Sequence, residues 1–307
     1  MSRKVAYVTW RTCVPDVSIV IPAKNEAAGL PGVLKRLYVV LDETPGAGEY
    51  EIVVVDDGSD DGTGDLAREL GARVVRHPYA MGNGAAVKAG IRAAVGEIVL
   101  CMDADGQHSP EDVPRLLAGM DEFAMVVGAR TRGTGTGFHR GIANRVYNAM
   151  ASYVVRRKVE DLTSGFRAFR RKDALRFLYL LPNTFSYPTT ITLSFFRAGL
   201  PVHYEPIKAG KRIGKSHIRL VRDGIRFFLI IVKISTIFSP LRVFLPAALG
   251  AGVIGIARYV WVSIERGGPT LTNGVQLALL LAIVLFALAL ISEQVAALRF
   301  DRSEKER

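Results

Sequence analysis

The sequence contains little cysteine, and the shortage restricts both its setting and its possible functions. Cys13 and Cys101 are the only two cysteines in 307 residues. One pair makes no disulfide framework in so long a chain, and the spacing matches no zinc ligand set. We therefore expect a reducing, cytoplasmic setting. The first residues also lack the apolar core of a signal peptide.

Acidic side chains are also in deficit. The chain contains 40 Lys and Arg residues but only 29 Asp and Glu residues, which gives a formal net charge of +11. Such an excess favours an anionic partner, namely a nucleotide, a phospholipid surface or a nucleic acid. Apolar residues make up 49% of the chain and the mean hydropathy is +0.22, which is high for a purely soluble enzyme.

The first two hundred residues alternate short β-rich runs with helical patterns. Apolar residues recur with a helical period over residues 30–41, and further helices are predicted over 65–70, from Pro110 and over 84–94. Ser109 and Pro110 have the residue types of a helix cap and a first helical position. Predicted strands cover residues 17–21, 51–55, 73–75, 98–102 and 125–127. This alternation predicts an α/β fold with a mostly parallel sheet covered by helices on both faces.

Two long apolar segments near the C-terminus predict a membrane anchor. Residues 244–264 contain Arg258 as their only charge, and residues 275–291 contain no charge. Each is close to the ~20 residues that cross a bilayer. Two buried helices of a soluble protein are the alternative. Before them, residues 218–238 combine a basic side with an apolar side, which favours a membrane-interface helix over a soluble surface helix.

The distribution of charge predicts how this anchor is oriented. The connector between the apolar segments holds only Glu265 and Arg266, whereas several basic residues flank the pair on both sides. Positive flanks stay in the cytoplasm. We therefore predict a cytoplasmic main domain over residues 1–216, interface helices over 217–240, a two-helix transmembrane hairpin over 241–298 and a cytoplasmic tail over 299–307.

The motif Met-Asp-Ala-Asp-Gly-Gln-His, which ends at His108, is the most informative site. Asp103 and Asp105 follow an apolar strand, at the edge of the sheet where open α/β folds bind ligands. Two carboxylates so close together are costly unless a cation lies between them. A divalent cation that also binds a diphosphate fits this pair, and Gln107 adds a neutral oxygen. A solvated aspartate-rich turn is the alternative.

Two further motifs end the preceding strands. Val-Asp-Asp-Gly-Ser contains Asp56 and Asp57, whose carboxylates can accept hydrogen bonds from a base or a ribose hydroxyl. Pro-Ala-Lys-Asn-Glu contains Pro22 and Ala23, which can form the wall of a base pocket. Glu26 ends that motif and has another reading, as an acidic residue near the start of the next helix.

As an ordered set over residues 17–216, these motifs resemble the family-2 glycosyltransferases, which have the Rossmann-like GT-A fold. The resemblance is closer to the polyprenyl-phosphate sugar synthases, which include dolichol-phosphate mannose synthase and bacterial polyprenyl-phosphate glucosyltransferases. In that group Asp-Leu-Thr-Ser-Gly-Phe-Arg follows the metal site, as residues 161–167 do here, and a basic residue with Gly-Lys-Ser follows, as residues 212–216 do here. The resemblance implies an inverting transferase that uses a UDP- or GDP-linked sugar, Mg²⁺ or Mn²⁺, and dolichyl or undecaprenyl phosphate.

The resemblance also implies roles for single residues. The nucleotide-sugar would contact Pro22, Ala23, Glu26, Asp56, Asp57 and Asp103. The metal would be held by Asp103, Asp105 and Gln107. The acceptor phosphate would contact Arg130, Arg145, Ser164, Arg212 and Lys215. The residues expected to be catalytic are Asp103, Asp105, Arg130 and Asp161, and Asp161 would orient the acceptor, act as a base or brace an arginine.

The chemistry of the acceptor agrees with this set. A phosphate monoester carries nearly two negative charges at neutral pH, so it is already a nucleophile and needs no strong base. Basic side chains would offset its repulsion from the anionic donor. Attack on the anomeric carbon would invert its configuration.

Three other functions compete with this interpretation. A processive membrane polysaccharide synthase would resemble its class in a Gln-x-x-Arg-Trp motif, but Trp10 and Trp261 are the only tryptophans and neither follows arginine in that pattern. A non-catalytic membrane-bound nucleotide-sugar module would not need intact Asp103, Asp105 and Gln107. A nucleic-acid binder is disfavoured by the predicted hairpin and by the lack of a recognised binding motif.

Overall fold

The chain folds into two compact units. The computed structural model describes residues 15–44, 48–131, 138–183, 187–208, 236 and 239–305. One unit comprises residues 1–136, 163–191 and 200–215, and the other comprises residues 137–162, 192–199 and 216–307. Arg212, Lys215 and almost all of the predicted interface segment lie outside the described residues, as do the side chains of the tail.

The first unit is built on a sheet whose seven described strands are mostly parallel. They are β1 (Val17–Ala23), β2 (Tyr50–Asp56), β3 (Arg73–Arg76), β4 (Ile98–Cys101), β5 (Met125–Arg130), β6 (Arg167–Arg170) and β7 (Val202–Ile207), in the spatial order β3-β2-β1-β4-β6-β5-β7. Only β6 runs antiparallel to its neighbours, β4 and β5. The predicted α/β fold with a mostly parallel sheet is confirmed.

Helices connect the strands. In chain order they are α1 (Leu30–Asp42), α2 (Thr63–Glu69), α3 (Asn83–Ala93), α4 (Val113–Ala118), α5 (Phe138–Val155), α6 (Arg171–Phe177) and α7 (Tyr187–Arg197). The first four correspond to the segments for which the sequence predicted a helix, whereas α5, α6 and α7 were not predicted. The apolar face of α1 is buried at every position that the period indicated, from Leu30 to Leu41. Burying such a stripe against the apolar residues of the sheet is the main source of stability in this type of layer.

The helix predicted from Pro110 forms differently. Residues Pro110–Asp112 make a 3₁₀ turn, and the α-helix begins only at Val113. Ser109 does not cap the helix, because its hydroxyl donates a hydrogen bond to the Glu111 carboxylate instead. Glu111 in turn pairs with Arg36 of α1, so this local ion pair competes with the expected cap.

The second unit contains two long apolar helices, α8 (Pro240–Glu265) and α9 (Asn273–Lys305). Each is long and apolar enough to cross a membrane, and only 11% of each apolar window is buried. Core helices of a soluble protein would be mostly buried. Together the two exposed apolar helices indicate membrane insertion.

Small residues bring these two helices together. Ala248, Gly255 and Val262 are the buried positions along the middle of α8, seven residues apart. A side chain on Gly255 would meet Leu279 of α9, with its Cβ 2.9 Å from Leu279 Cδ2. The seven-residue spacing is typical of left-handed helix pairs, and small residues let apolar helices approach closely in lipid.

The order of the strands determines where a ligand fits in the first unit. The chain proceeds from β1 outward through β2 and β3, and then returns to the other side of β1 with β4. The connections after β1 and β4 therefore leave the sheet in opposite directions and open a crevice at its carboxyl edge. Ligands of open α/β sheets bind at such switch points.

Candidate functional site

The three strand-end motifs meet at this crevice. Ala23 is in register with Asp56 across β1 and β2, and the backbone N–H of Asp57 donates to the carbonyl of Ala23 at 2.9 Å. On the other side of β1, the N–H of Met102 donates to Val20 at 3.1 Å. The structure therefore brings the residues that end β1, β2 and β4 to one edge of the sheet.

Asp103 and Asp105 lie on a tight turn after β4. Gly106 has a φ of 71°, a left-handed conformation that glycine adopts without strain. The backbone N–H of Gln107 donates to Asp105 at 3.1 Å, and that of Asp103 donates to Nδ1 of His108 at 3.3 Å. His108 is buried and stacks on Phe166, with ring centroids 5.1 Å apart. The histidine therefore fixes the turn that carries both carboxylates.

The charge of Asp103 is costly in this position. Desolvation raises the pKa of Asp103, and the neighbouring Asp105 carboxylate raises it further. The positive charges of Arg167 and Arg130 act in the opposite direction, as does His108, but they do not cancel the shift. A cation bound between the two carboxylates would favour their charged forms and so offset both causes of the raised pKa.

The segment before β6 forms the wall behind Asp103. A Cβ on Gly165 would lie 2.7 Å from Oδ2 of Asp103, so the carboxylate rests against the bare backbone of Gly165. The Tyr187 hydroxyl donates to the Gly165 carbonyl at 3.1 Å. Arg167 is fully buried and donates to the carbonyls of Ser164 and Pro188, at 3.1 Å and 2.8 Å. These bonds hold residues 164–167 in place against the carboxylate.

Asp56 supports the structure of the site. Its carboxylate has no exposed surface, and it accepts hydrogen bonds from the Ser59 N–H at 2.8 Å and from Arg76 Nε at 2.9 Å. Burial alone would raise the pKa of Asp56, but these hydrogen bonds outweigh burial and lower the pKa. A carboxylate enclosed in this way organises the turn after β2, and its contact with the nucleotide stays a prediction.

Asp57 is nearly as enclosed, and it anchors the loop before α3. It accepts hydrogen bonds from the N–H groups of Met81 and Gly82, each at 2.8 Å, and it lies 2.8 Å from Nδ1 of His77. Burial opposes ionisation, but the hydrogen bond from His77 and those from the backbone lower the pKa of Asp57. Beside it lies an open cavity of about 430 Å³, lined by Gly58, Ser59, Arg76, His77 and Pro78.

The motif Pro-Ala-Lys-Asn-Glu, at the end of β1, forms part of the crevice wall and the turn that leads to α1. Pro22 is half-buried and Ala23 is buried at the end of β1. Glu26 is half-buried, its N–H donates to the Thr63 hydroxyl at 3.0 Å, and its carbonyl accepts from Leu30. The first turn of α1 contains no acidic residue, so Glu26 precedes the helix and is not part of its first turn.

The predicted acceptor residues fall into three groups. Arg130 ends β5 and donates to the Thr163 hydroxyl at 2.6 Å, and Ser164 is buried next to it in the chain. Arg145 is exposed on α5 and Asp161 is buried, and both belong to the second unit. In that unit the Asn148 side chain binds the Glu160 carbonyl and the Leu162 N–H, which holds the Asp161 segment against α5. Arg212 and Lys215 lie outside the described residues.

The oxygen atoms at the crevice suit a hard divalent cation. Among the described residues, no group of three or more His, Cys, Asp or Glu side chains is arranged to hold a metal ion. A cation here would therefore take protein oxygens from Asp103 and Asp105, with Gln107 nearby, and would complete its shell from a ligand or water. Mg²⁺ is bound in this way at sites that use one or two carboxylates and substrate phosphates.

The sequence did not single out several residues that shape the site. Gly165, Arg167 and His108 lie within the sequence motifs, but their positions in the motifs do not reveal what they contact. His77 and Tyr187 lie outside the motifs. A fully buried arginine is rare enough to be informative, but burial is not visible in the motif itself.

Comparisons with known proteins agree with this geometry. Residues 18–177 match the family described as Glycosyl transferase family 2, and residues 239–298 match the family described as GtrB C-terminal hairpin. The chain is similar to undecaprenyl-phosphate 4-deoxy-4-formamido-L-arabinose transferases. It is 35% identical to that of Proteus mirabilis over 191 residues, and 33% identical to that of Aeromonas hydrophila over 195 residues.

These matches cover only part of each protein. The alignments include 57% and 58% of this chain, and they span 58% and 59% of the two relatives. Among solved structures, a complex of glucosyl-3-phosphoglycerate synthase from Mycobacterium tuberculosis with Mn²⁺ and UDP-glucose is similar in fold. Its TM-score is 0.57 at 22% identity, over 72% of this chain and 79% of that one. Because the family match includes more than half of the 307 residues and all three strand-end motifs, the chain belongs to glycosyl transferase family 2.

Proposed function

We propose that this chain transfers a sugar, with inversion, from a nucleoside-diphosphate sugar to a polyprenyl phosphate at the cytoplasmic face of a membrane. The observation that carries this proposal is the pair Asp103 and Asp105, which follows β4 at the switch point beside Ala23 and Asp57. The names of the relatives favour undecaprenyl phosphate over dolichyl phosphate as the acceptor. Labelling with UDP- and GDP-sugars in parallel distinguishes the two possible nucleotides.

The protein contributes mainly binding and orientation. Asp103, Asp105 and Gln107 would hold Mg²⁺ or Mn²⁺, which would neutralise the departing diphosphate. Asp57 and Ala23 border the crevice on the side of β2, where the nucleoside would bind. Glu26 and Pro22 belong to the same motif as Ala23 and would contact the nucleotide-sugar beside it.

Arg130 is the described basic residue best suited to the acceptor phosphate within the first unit. It ends β5, and its charge acts on Asp103, so an anion that it binds would be drawn toward the reacting centre. Ser164, Arg145, Arg212 and Lys215 remain predicted partners of the same phosphate. Asp161 remains a predicted catalytic residue, as an orienting group, a base or a brace for an arginine.

Membrane insertion supports a lipid acceptor. A polyprenyl phosphate keeps its tail in the bilayer, so its phosphate stays at the surface, and a transferase fixed there by α8 and α9 would meet it. The connector between these helices carries fewer positive charges than their outer flanks, which supports cytoplasmic flanks and an external connector.

The proposal is tested by lipid labelling. Membranes that contain the full chain are incubated with radiolabelled UDP- and GDP-sugars, MgCl₂ or MnCl₂, and undecaprenyl phosphate. We expect one donor to label an organic-extractable lipid, and chelation with EDTA to abolish the labelling. Asp103→Asn should lower the rate at least about 100-fold while leaving the amount of protein in the membrane unchanged.

Other outcomes would favour other functions. Label in long soluble glycan, with none in lipid, would identify a polysaccharide synthase. Binding of a nucleotide-sugar without turnover, unaffected by Asp103→Asn, would identify a non-catalytic module. Either result would contradict the proposal.

A further inference from the structure

Three arginines gather where the membrane hairpin begins. Arg242 is near the start of α8, Arg197 ends α7, and Arg156 follows the last residue of α5. All three belong to the second unit. Arg156 and Arg197 are exposed and Arg242 is half-buried. We call these three residues the basic collar.

Hydrogen bonds fix the collar to the hairpin. Arg242 donates to two carbonyls at the C-terminal end of α5, those of Val154 and, at 3.4 Å, Tyr153. Arg197 pairs with Glu293 of α9 at 3.3 Å, and the other Glu293 oxygen accepts from the Leu241 N–H at 3.2 Å. The ends of α5 and α7 are therefore tied to the same end of α8 and α9.

In a bilayer crossed by α8, the collar would lie at the depth of the lipid headgroups. The apolar stretch of α8 that follows Arg242, residues 243–264, would be about 33 Å long at 1.5 Å per residue, which matches the ~30 Å hydrocarbon core. Tyr153 is exposed next to Arg242, and its hydroxyl donates to the Arg242 carbonyl at 3.3 Å. A tyrosine with one apolar and one polar end is typical of this interface.

The arrangement keeps like charges together. Arg156 and Arg197 both repel Arg242, and Glu293 is the carboxylate that attracts it. Arg242 cannot move away, because the α5 carbonyls hold it. Arg156 has a φ of 55°, a left-handed conformation that is costly for any residue with a side chain except Asn or Asp. The repulsion between these like charges is reduced when an anion binds among them.

We propose that the basic collar binds the phosphate headgroups of anionic phospholipids, with their acyl chains lying along the exposed apolar surfaces of α8 and α9. The collar would then act as a lipid-selective contact that fixes the depth of the hairpin. This proposal depends on membrane insertion but not on which sugar the enzyme transfers.

The test counts bound lipids by native mass spectrometry on the full chain in a neutral detergent. Phosphatidylglycerol and phosphatidylcholine with identical acyl chains are titrated separately. We expect phosphatidylglycerol to bind more tightly, and Arg156→Gly to weaken its binding about fivefold without changing that of phosphatidylcholine. Glycine relieves the left-handed backbone, so the variant should fold, and Arg156→Asn gives a second neutral side chain that tolerates this conformation.

A matched control separates the collar from general charge. Arg92→Gln removes one exposed positive charge from α3, and it should leave the binding of both lipids unchanged. Glycerol phosphate, which has the headgroup chemistry without the tail, should not displace the lipid at equal concentration. Displacement by it, equal binding of the two lipids by the wild type, or an unchanged affinity in both Arg156 variants would overturn the proposal. Sugar transfer in neutral micelles should be the same for Arg156→Gly and the wild type, so the two proposals fail separately.

Discussion

Gly165 has no room for a side chain, because the Asp103 carboxylate lies against its α-carbon. A Cβ at this position would be 2.7 Å from Oδ2 of Asp103. The atom that must move is the end of a side chain, so Gly165→Ala should shift the carboxylate and leave the fold intact. A displacement of about 1 Å at a reacting centre costs about 100-fold in rate. We expect that fall in kcat, measured by lipid labelling, with a melting temperature close to that of the wild type.

Gly32 provides the matched control for this substitution. It lies on α1, and a Cβ there would meet nothing within 4 Å. Gly32→Ala should retain full activity and gain slightly in stability, because alanine favours a helix over glycine. If Gly165→Ala proved as active as Gly32→Ala, the contact with Asp103 would have no part in catalysis.

The hydrogen-bonded carboxylates of Asp56 and Asp57 should make the stability of the fold fall at acidic pH. Hydrogen bonds lower the pKa of both groups in the folded protein. Their contribution to stability is therefore complete above the unfolded pKa of ~3.9 and is lost as the pH falls through the lower folded values. The melting temperature should be steady near neutral pH and fall below about pH 4. Asp56→Asn should cost about 2 kcal/mol at pH 7 and make this acid response shallower.

Asp65 offers a control because it shares a partner with Asp56. It pairs with the same Arg76, at 3.4 Å, but its side chain is 57% exposed. Exposed ion pairs contribute little, so Asp65→Asn should leave both the melting temperature and its pH dependence nearly unchanged. An equal loss in the two variants would mean that burial of the Asp56 carboxylate is unimportant.

At the scale of elements, the sequence predicted helices and strands best where one hydrophobic period continued over the whole segment. The strands that became β1 to β5 and the helix α1 were predicted within a few residues of their observed bounds. By contrast, β6 and β7 were not predicted. They pair with strands far away in the chain, and β6 inserts between β4 and β5. Such long-range pairing depends on tertiary contacts that local propensity does not encode.

The packing of α8 against α9 gives a prediction at this scale. Gly255 lies so close to Leu279 that a Cβ would approach within 2.9 Å. Gly255→Val should force the helices apart and cost about 1–3 kcal/mol, the usual range for overpacking. Thermal unfolding in detergent measures the loss. Gly250→Val is the control, since a Cβ there would meet nothing within 4 Å, and similar losses in both variants would indicate a loosely packed hairpin.

At the scale of the whole molecule, the edge that the three motifs share was predictable, but the burial of its carboxylates was not. Asp56 ends β2, Asp57 follows it, and Asp103 lies two residues after β4. Because parallel strands bring their carboxyl ends together, the sequence predicted that these residues lie at one edge of the sheet, and the pairing of β1 with β2 and β4 agrees. Only the structure separates Asp56, which is enclosed by Ser59 and Arg76, from Asp103, which is partly open. Side-chain burial depends on contacts from distant segments, and an acidic pair in a motif does not reveal it.

The orientation of the chain across the membrane follows from the hairpin and can be measured directly. If the flanks of α8 and α9 are cytoplasmic, the Gly-Gly-Pro connector faces outward while Lys158, an exposed residue of the second unit, faces inward. In a Cys13→Ser background the remaining native cysteine is Cys101, which is buried and should not react with a thiol reagent. We expect a membrane-impermeant maleimide to label Gly268→Cys in intact cells and to label Lys158→Cys only after permeabilisation. The reverse pattern would put Lys158 on the outside of the membrane. This result would contradict a cytoplasmic location of the flanks of α8 and α9, and the proposed function requires that location.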